Sequence, residues 1–223
     1  RKKVTVRHIT KRPSGSSPLT MITAYDYTAA LLADAAGVDM ILVGDTLAEF
    51  ALGYDSTVPV TVDEMLHHCQ AVTRTRPRAL VIGDMPLGSY QVSDEEAVRN
   101  AIRFVKEGGV DAVKLEGGEV RSQTIRAIAD AGIAVMGHIG FTPQSATNFG
   151  SKIVAGRDAQ SGIQLYRDAV AIEQAGCFAI VIEAVARAVA CRITAEIAVP
   201  TIGIGAGANC SGQVLVFHEL TGI

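Results

Sequence analysis

Five short apolar runs of this chain each end in an acidic residue or a histidine, and a stretch with helical spacing follows each run. The runs are MILVGD, ALVIGD, AVKLE, AVMGH and AIVIE, which end at Asp45, Asp84, Glu116, His138 and Glu183. Buried parallel strands that are joined by crossover helices have this pattern. In a closed parallel barrel the carboxyl ends of all strands meet at one face, where the active sites of such barrels are built. The sequence therefore predicts a (β/α)8 barrel with four carboxylates and one imidazole at a single mouth.

The same periodicity gives the approximate position of each element. Strands are expected at residues 19–24, 40–43, 79–83, 112–115, 134–137, 178–182, 201–204 and 214–217. Helices are expected at residues 27–37, from 61, 93–107, 120–131, 163–175 and 187–197. Capping-box patterns at Thr61 and Ser93 mark two of these helix starts. We expect residues 1–223 to form one barrel domain that begins with a short arm or lead-in helix over residues 1–18 and lacks the final C-terminal helix.

Composition limits the kinds of partner that this chain can bind. A formal net charge of −3 and an aromatic content of 5% give no basis for binding nucleic acid. No apolar run approaches the length of a membrane span. The four cysteines form no CxxC pair and are therefore expected to be small core residues in a reducing compartment. A cytoplasmic enzyme that acts on small molecules is the expectation.

A long polar segment, residues 138–162, follows the fifth predicted strand. Loops of this length in compact domains are usually functional. Its position after a strand end predicts that it lies over the barrel mouth.

The converging acids predict a hard cation. Two bare carboxylates about 5 Å apart repel by roughly 3 kcal/mol at an effective dielectric constant near 20. Protonation of one acid, or a bound cation, would relieve this repulsion. Donor sets made of oxygen atoms, without a cysteine or histidine pair, favour Mg²⁺ over Zn²⁺. We predict Mg²⁺ held by Asp45 and Asp84, with Glu116 as a third ligand, directly or through water.

Simpler explanations exist for each of these residues. An acid at the end of a strand often only caps the next helix or turn. Capping is an adequate explanation for one such residue, but a poor one for three acids on successive strands. His138 can be a hydrogen-bonded core histidine. Glu183 can be a wall carboxylate paired with an arginine, although the apolar strand before it suits a general base. The glycine-rich segment 203–207 is interpreted as a tight turn rather than a phosphate site.

Several longer segments of the chain carry a family resemblance. They are MITAYDYTAA, LVGDTLAEFALGYDSTVPVT, AVKLEGG, GHIGFTPQS, VIEAV and PTIGIGAGANCSGQVLV. Over nearly the whole chain, the sequence resembles the ketopantoate hydroxymethyltransferase family. The resemblance implies a Mg²⁺-dependent (β/α)8 enzyme of the phosphoenolpyruvate/pyruvate-type superfamily, related in fold to phosphoenolpyruvate mutase and isocitrate lyase and typically a homodecamer.

The resemblance also implies a role for individual residues. It implies that the metal ligands are Asp45, Asp84 and Glu116. It implies that the oxoacid is bound by Asp45, Thr46, Asp84 and Lys114. Glu183 matches the catalytic base of the family and His138 matches an active-site histidine. Thr46 stands where serine is usual, so the hydroxyl is kept and a methyl group is added.

The implied reaction is a one-carbon transfer. A hydroxymethyl group passes from 5,10-methylenetetrahydrofolate to 3-methyl-2-oxobutanoate through a Mg-stabilised enolate, which gives 2-dehydropantoate (ketopantoate) in pantothenate biosynthesis. Glu183 would take the C3 proton and Lys114 would help to hold the oxoanion or the carboxylate. Two alternatives stay open: another Mg²⁺-dependent 2-oxoacid C–C lyase or mutase of the same fold, and a non-catalytic barrel kept as a binding or assembly subunit.

Overall fold

The computed structural model describes residues 2–13, 15–145 and 154–223. Within them, eight parallel strands close into a barrel, in which each strand pairs with the next and the last pairs with the first. The strands are β1 (Leu19–Thr23), β2 (Met40–Val43), β3 (Leu80–Asp84), β4 (Ala112–Glu116), β5 (Val135–Gly140), β6 (Ala179–Glu183), β7 (Thr201–Ile204) and β8 (Gly212–Leu215). The predicted barrel is confirmed.

The helices of the described residues surround this barrel. They are α1 (Val6–Thr10), α2 (Tyr27–Ala36), α3 (Leu47–Phe50), α4 (Val62–Thr73), α5 (Asp94–Lys106), α6 (Ser122–Asp130), α7 (Ala159–Gln174), α8 (Arg187–Glu196) and α9 (Phe217–Thr221). Single 3₁₀ turns lie at Glu119–Arg121 and Pro143–Ser145. None of the described helices combines the length and the apolar character that crossing a membrane requires.

Local side-chain caps start both helices whose first residues were predicted from capping patterns. At α4 the Thr61 hydroxyl accepts from the Glu64 N–H (3.2 Å), and the Glu64 carboxylate accepts from the Thr61 N–H (2.7 Å), which confirms the predicted capping box. At α5 the Ser93 hydroxyl accepts from the Glu96 N–H (3.1 Å). The described contacts of α5 include this bond but no reciprocal bond from the Ser93 N–H to the Glu96 side chain, so the capping box predicted there is wrong.

The last part of the chain differs from the prediction in two ways. The strand predicted at 214–217 lies earlier, at Gly212–Leu215. A helix of 5 residues, α9, then follows where no final helix was predicted. The cause is a tertiary contact: the Phe217 N–H donates to the Thr23 hydroxyl on β1 (3.0 Å), which turns the chain out of the sheet. α9 has only a little more than one helical turn.

Two predictions are not decided by the fold. That residues 1–223 form one domain remains a prediction. The loop predicted over the mouth falls in part on residues 146–153, which lie outside the described residues.

Alternation along the strands divides the apolar residues into two layers. Side chains such as Val113 and Leu115 of β4 pack outward against the helices. Others, such as Leu42, Ile82 and Met136, fill the barrel interior. Because side chains alternate between the two faces of a strand, Lys114 and Glu116 face the interior. The apolar interior thus ends in a polar layer at the carboxyl ends of the strands.

Candidate active site

The strand register brings the polar residues at the strand ends side by side. Asp84 of β3 pairs in register with Lys114 of β4, and Glu116 pairs with His138 of β5. The seven site residues predicted from the sequence all line one cavity of about 50 Å³; they are Asp45, Thr46, Asp84, Lys114, Glu116, His138 and Glu183. A cavity of this size has room for about four water molecules. Its lower wall is aliphatic and is formed by Leu42, Val181, Ile204 and Val214.

Lys114 is the cationic centre of this cluster. Its Nζ lies 2.8 Å from Asp84 Oδ1 and 4.0 Å from Glu116 Oε1. All three side chains are at most 4% exposed. Burial would favour a neutral amine, but the surrounding acids outweigh it and hold the pKa of Lys114 above its ordinary value. The ammonium therefore stays charged and lies between two acids.

His138 bridges two of the acids. Its Nδ1 lies 3.3 Å from Glu116 Oε1, and its Nε2 lies 3.3 Å from Glu183 Oε2. Burial and the charge of Lys114 both oppose a protonated ring, but the two carboxylates outweigh them and raise the pKa of His138 to about 9. The two carboxylates thus favour the protonated imidazole, against the Lys114 ammonium, whose Nζ lies 3.3 Å from His138 Nδ1. This arrangement goes beyond a histidine that merely satisfies its hydrogen bonds in a core.

The surroundings shift the pKa values of the acids in different directions. Burial, Asp84 and Glu116 raise the pKa of Asp45 well above its ordinary value. Burial also raises the pKa of Asp84, although Lys114 opposes this. For Glu116, burial is outweighed by His138 and Lys114, and the pKa is lowered. With all groups ionised, four carboxylates face two cations, so the site has an excess of negative charge.

Three residues of the site were not found from the sequence. Gln144, in the 3₁₀ turn after β5, is 3% exposed and donates from Nε2 to Asp45 Oδ2 (2.9 Å). Tyr90 donates its hydroxyl hydrogen to Gln144 Oε1 (2.6 Å). Tyr25 lies after β1, and its hydroxyl is 2.7 Å from the Thr46 hydroxyl. Gln144 and Tyr25 fall inside the segments that carry the family resemblance, which was the available signal.

The chemistry of the donor set suits a hard divalent cation. Asp84 Oδ1 and Glu116 Oε1 are buried, and they contact the cationic groups Lys114 (2.8 Å) and His138 (3.3 Å). Across residues 2–13, 15–145 and 154–223, no three His, Cys, Asp or Glu side chains are arranged to hold a metal ion as they stand. The Lys114 ammonium supplies the positive charge between Asp84 and Glu116. The carboxylate oxygens thus fit Mg²⁺ in type, and coordination would require the acids to close around the ion.

The backbone around Glu183 is closely packed. The Glu183 carbonyl accepts from the Phe141 N–H (2.9 Å). Gly140 has φ +100°, and a Cβ at this position would overlap the Glu183 carbonyl oxygen. Ala184, the next residue after β6, has φ 48°, in the left-handed region that non-glycine residues rarely adopt. Glu183 is therefore presented from a backbone corner that requires Gly140.

Replacing Gly140 by alanine should lower the free energy of unfolding by about 3 kcal/mol or more, because backbone strain and steric overlap add together. Gly132→Ala is the matched control: Gly132 has φ +87°, and a Cβ there would meet nothing within 4 Å. We expect the control to lose only about 1 kcal/mol. Urea unfolding of both variants measures the difference. Equal losses would show that the overlap with Glu183 has no cost.

Comparison with known proteins assigns the family. The sequence profile described as ketopantoate hydroxymethyltransferase matches residues 3–223. The chain belongs to the ketopantoate hydroxymethyltransferase family. It is 55% identical over 223 residues to the 3-methyl-2-oxobutanoate hydroxymethyltransferase of Moorella thermoacetica. The match covers 100% of this chain and 83% of the relative. It is 53% identical to the enzyme of that name from Ignicoccus hospitalis, over 100% of this chain and 84% of the relative. Membership of this family makes the chain an enzyme, a hydroxymethyltransferase.

Solved structures of other enzymes share the barrel. 2,3-Dimethylmalate lyase, described as a PEP mutase/isocitrate lyase superfamily member, matches with a TM-score of 0.69 and 18% identity, over 97% of this chain and 81% of that one. Oxaloacetate acetylhydrolase matches with a TM-score of 0.73 and 12% identity, over 99% and 82%. At these identities the likeness concerns the fold alone. This likeness in fold agrees with the relation to phosphoenolpyruvate mutase and isocitrate lyase that the family resemblance implied.

Proposed function

We propose that this enzyme transfers a hydroxymethyl group to 3-methyl-2-oxobutanoate and forms 2-dehydropantoate. The observation that carries the proposal is the convergence of Lys114, His138 and four acids on one buried cavity, in a chain of this family. The relatives that share half of its sequence carry the name of this activity.

The proposal includes Mg²⁺ as a bound ion. Asp45, Asp84 and Glu116 would hold it, because their carboxylates line one cavity and oxygen donors suit a hard cation. When bound, the ion would supply Lewis-acid polarisation of the keto group.

The residues of the chain bind and orient the oxoacid. Lys114 would stabilise negative charge on the keto oxygen or the carboxylate. Thr46, oriented by Tyr25, would donate a hydrogen bond to the carboxylate. The aliphatic wall of Val181, Ile204 and Val214 would enclose the branched end of the substrate.

Glu183 would act as the base. The C3–H bond of the oxoacid breaks, the proton passes to a Glu183 carboxylate oxygen, and the electron pair forms the C2–C3 double bond of the enolate. One C–N bond of the methylene carbon of 5,10-methylenetetrahydrofolate breaks to give an iminium group, to whose carbon C3 of the enolate bonds; water then displaces the second nitrogen from that carbon. Water supplies the new hydroxyl group. Its remaining proton and the C3 proton restore the two N–H groups of tetrahydrofolate.

Three parts of the proposal rest on family membership. They are the folate donor, the homodecameric assembly and the cytoplasmic location. Sedimentation of the purified protein would test the assembly, and turnover with 5,10-methylenetetrahydrofolate would test the donor.

Proton exchange tests the first half of the reaction without the folate. Proton NMR of 3-methyl-2-oxobutanoate in D₂O should show loss of the C3 proton signal when protein and Mg²⁺ are both present, because the base returns deuterium to the enolate. The signal should persist when EDTA removes the metal. Absence of exchange from a folded protein that binds Mg²⁺ would contradict the proposed function.

A further inference from the structure

Gln144 connects two of the acids that the proposed function places at the metal. Its side-chain Nε2 donates to Asp45 Oδ2 (2.9 Å), and its backbone N–H donates to Glu116 Oε2 (3.1 Å). The same Nε2 also donates to the Met85 carbonyl (2.9 Å). One buried residue after β5 thus contacts the connections that follow β2 and β3 and the last residue of β4.

The hydrogen-bond network decides the orientation of the Gln144 amide. The Tyr90 oxygen accepts from the Glu116 N–H (3.2 Å), so its hydrogen is directed to Gln144 Oε1 (2.6 Å). On the other side, Nε2 faces two acceptors, the Asp45 carboxylate and the Met85 carbonyl. A flipped amide would place its oxygen against both acceptors and lose all of these bonds.

This network restrains each carboxylate through one of its two oxygens. Gln144 bonds Oδ2 of Asp45 and Oε2 of Glu116, while the Asp45 N–H donates to Asp84 Oδ2 (3.1 Å). The three acids lie on different strand ends and would otherwise separate because of their repulsion. A residue that donates to two of them keeps them close together through one oxygen of each, while Oε1 of Glu116 faces His138 and Lys114.

We infer that Gln144 is a positioning residue that keeps Asp45 and Glu116 close together, so that both can close around the metal, and that Tyr90 holds the Gln144 amide. The inference rests on the proposed function, because it concerns the ion and the oxoacid of that same site. Removal of groups that orient metal ligands typically lowers metal affinity by about 10- to 100-fold.

The test is Mn²⁺ binding, followed by the electron paramagnetic resonance signal of free Mn²⁺, with neither oxoacid nor folate present. Gln144→Met keeps the length of the side chain and removes its polar atoms, so it breaks the bond to Asp45 and keeps the backbone bond to Glu116. We expect the Kd for Mn²⁺ to rise by about 10- to 100-fold. Gln123→Met is the matched control, because Gln123 Nε2 also donates to a carboxylate, Asp94 Oδ2 (2.6 Å), on the outer helices. The control should bind Mn²⁺ like the unmodified protein.

Tyr90→Phe tests the same inference by a milder change. It removes the hydroxyl that orients the amide, so the Kd should rise in the same direction but by less. In the double variant Gln144→Met/Tyr90→Phe, the two effects should not multiply, because both act through one network. A role in stability alone would lower the melting temperature and leave the Kd unchanged.

The outcomes separate this inference from the proposed function. If the unmodified protein does not bind Mn²⁺, the proposed function fails and the inference fails with it. If the unmodified protein binds Mn²⁺ and Asp84→Asn does not, but Gln144→Met stays within twofold of the unmodified Kd, only the inference is overturned. If Gln144→Met does not fold, a Kd within twofold for Tyr90→Phe overturns it.

Discussion

Replacing Glu183 by glutamine should reduce deuterium exchange at C3 of 3-methyl-2-oxobutanoate by about 10²- to 10⁴-fold, the usual effect of removing a general base. Glutamine is nearly isosteric and keeps a side-chain oxygen that can face His138 Nε2, which lies 3.3 Å from Glu183 Oε2. The variant therefore removes the proton acceptor with little change in shape. Exchange is followed by proton NMR with Mg²⁺ and without folate.

The choice of Glu183 over His138 as the base follows from charge. The carboxylates of Glu116 and Glu183 raise the pKa of His138 to about 9, although burial opposes this. An imidazole whose pKa is raised in this way is a poorer proton acceptor at neutral pH than a carboxylate that faces the cavity. The imidazolium can instead stabilise the Glu183 carboxylate and orient it.

The matched control for Glu183→Gln is Glu107→Gln. Glu107→Gln removes an acid that pairs with Arg103 (3.0 Å) on the surface of the protein. That control should exchange at the unmodified rate. If Glu183→Gln retained exchange within tenfold while it folded and bound Mn²⁺, another group would be the base.

Replacing Lys114 by methionine should produce the largest loss of stability. Lys114 Nζ contacts Asp84 Oδ1 at 2.8 Å inside the protein, and removing one partner of a buried ion pair costs about 3 to 5 kcal/mol. We expect the free energy of unfolding at pH 7, measured in urea with EDTA, to fall by this amount. Exchange at C3 should be lost as well.

The loss of stability in Lys114→Met should increase as the pH rises. Without Lys114, repulsion and burial raise the folded-state pKa values of the remaining acids above their unfolded values. The folded protein then binds more protons than the unfolded chain, so stability falls as pH rises. Lys114→Met should therefore be closer to the unmodified protein at pH 5 than at pH 7.

The matched control is Lys106→Met, which removes an exposed ammonium at the end of α5. It should change the free energy of unfolding by less than about 0.5 kcal/mol at both pH values. A loss below about 1 kcal/mol for Lys114→Met, or a loss independent of pH, would show that the buried charge is not what holds these acids together.

The sequence alone was sufficient for the barrel and for the composition of its mouth. Parallel strands that are buried on both faces appear as short apolar runs, and a polar residue at the end of such a run can only point toward the mouth or a helix cap. Period-two alternation was enough to place Lys114 and Glu116 on one face of β4, and they do line one cavity. The capping box at Thr61 was readable because its bonds join residues three apart.

Only the tertiary structure decided how these residues contact one another. His138 on β5 lies between Glu116 on β4 and Glu183 on β6, and Gln144 after β5 joins Glu116 to Asp45 after β2. These contacts cannot be predicted from the spacing of residues along the sequence, because the residues are far apart in the chain; Asp45 and Gln144, for example, are 99 residues apart. The start of α9 likewise depends on Thr23, 194 residues earlier. The sequence determined which groups reach the mouth, since that follows from strand period and direction. Their distances and protonation depend on barrel closure and burial, which are properties of the folded chain.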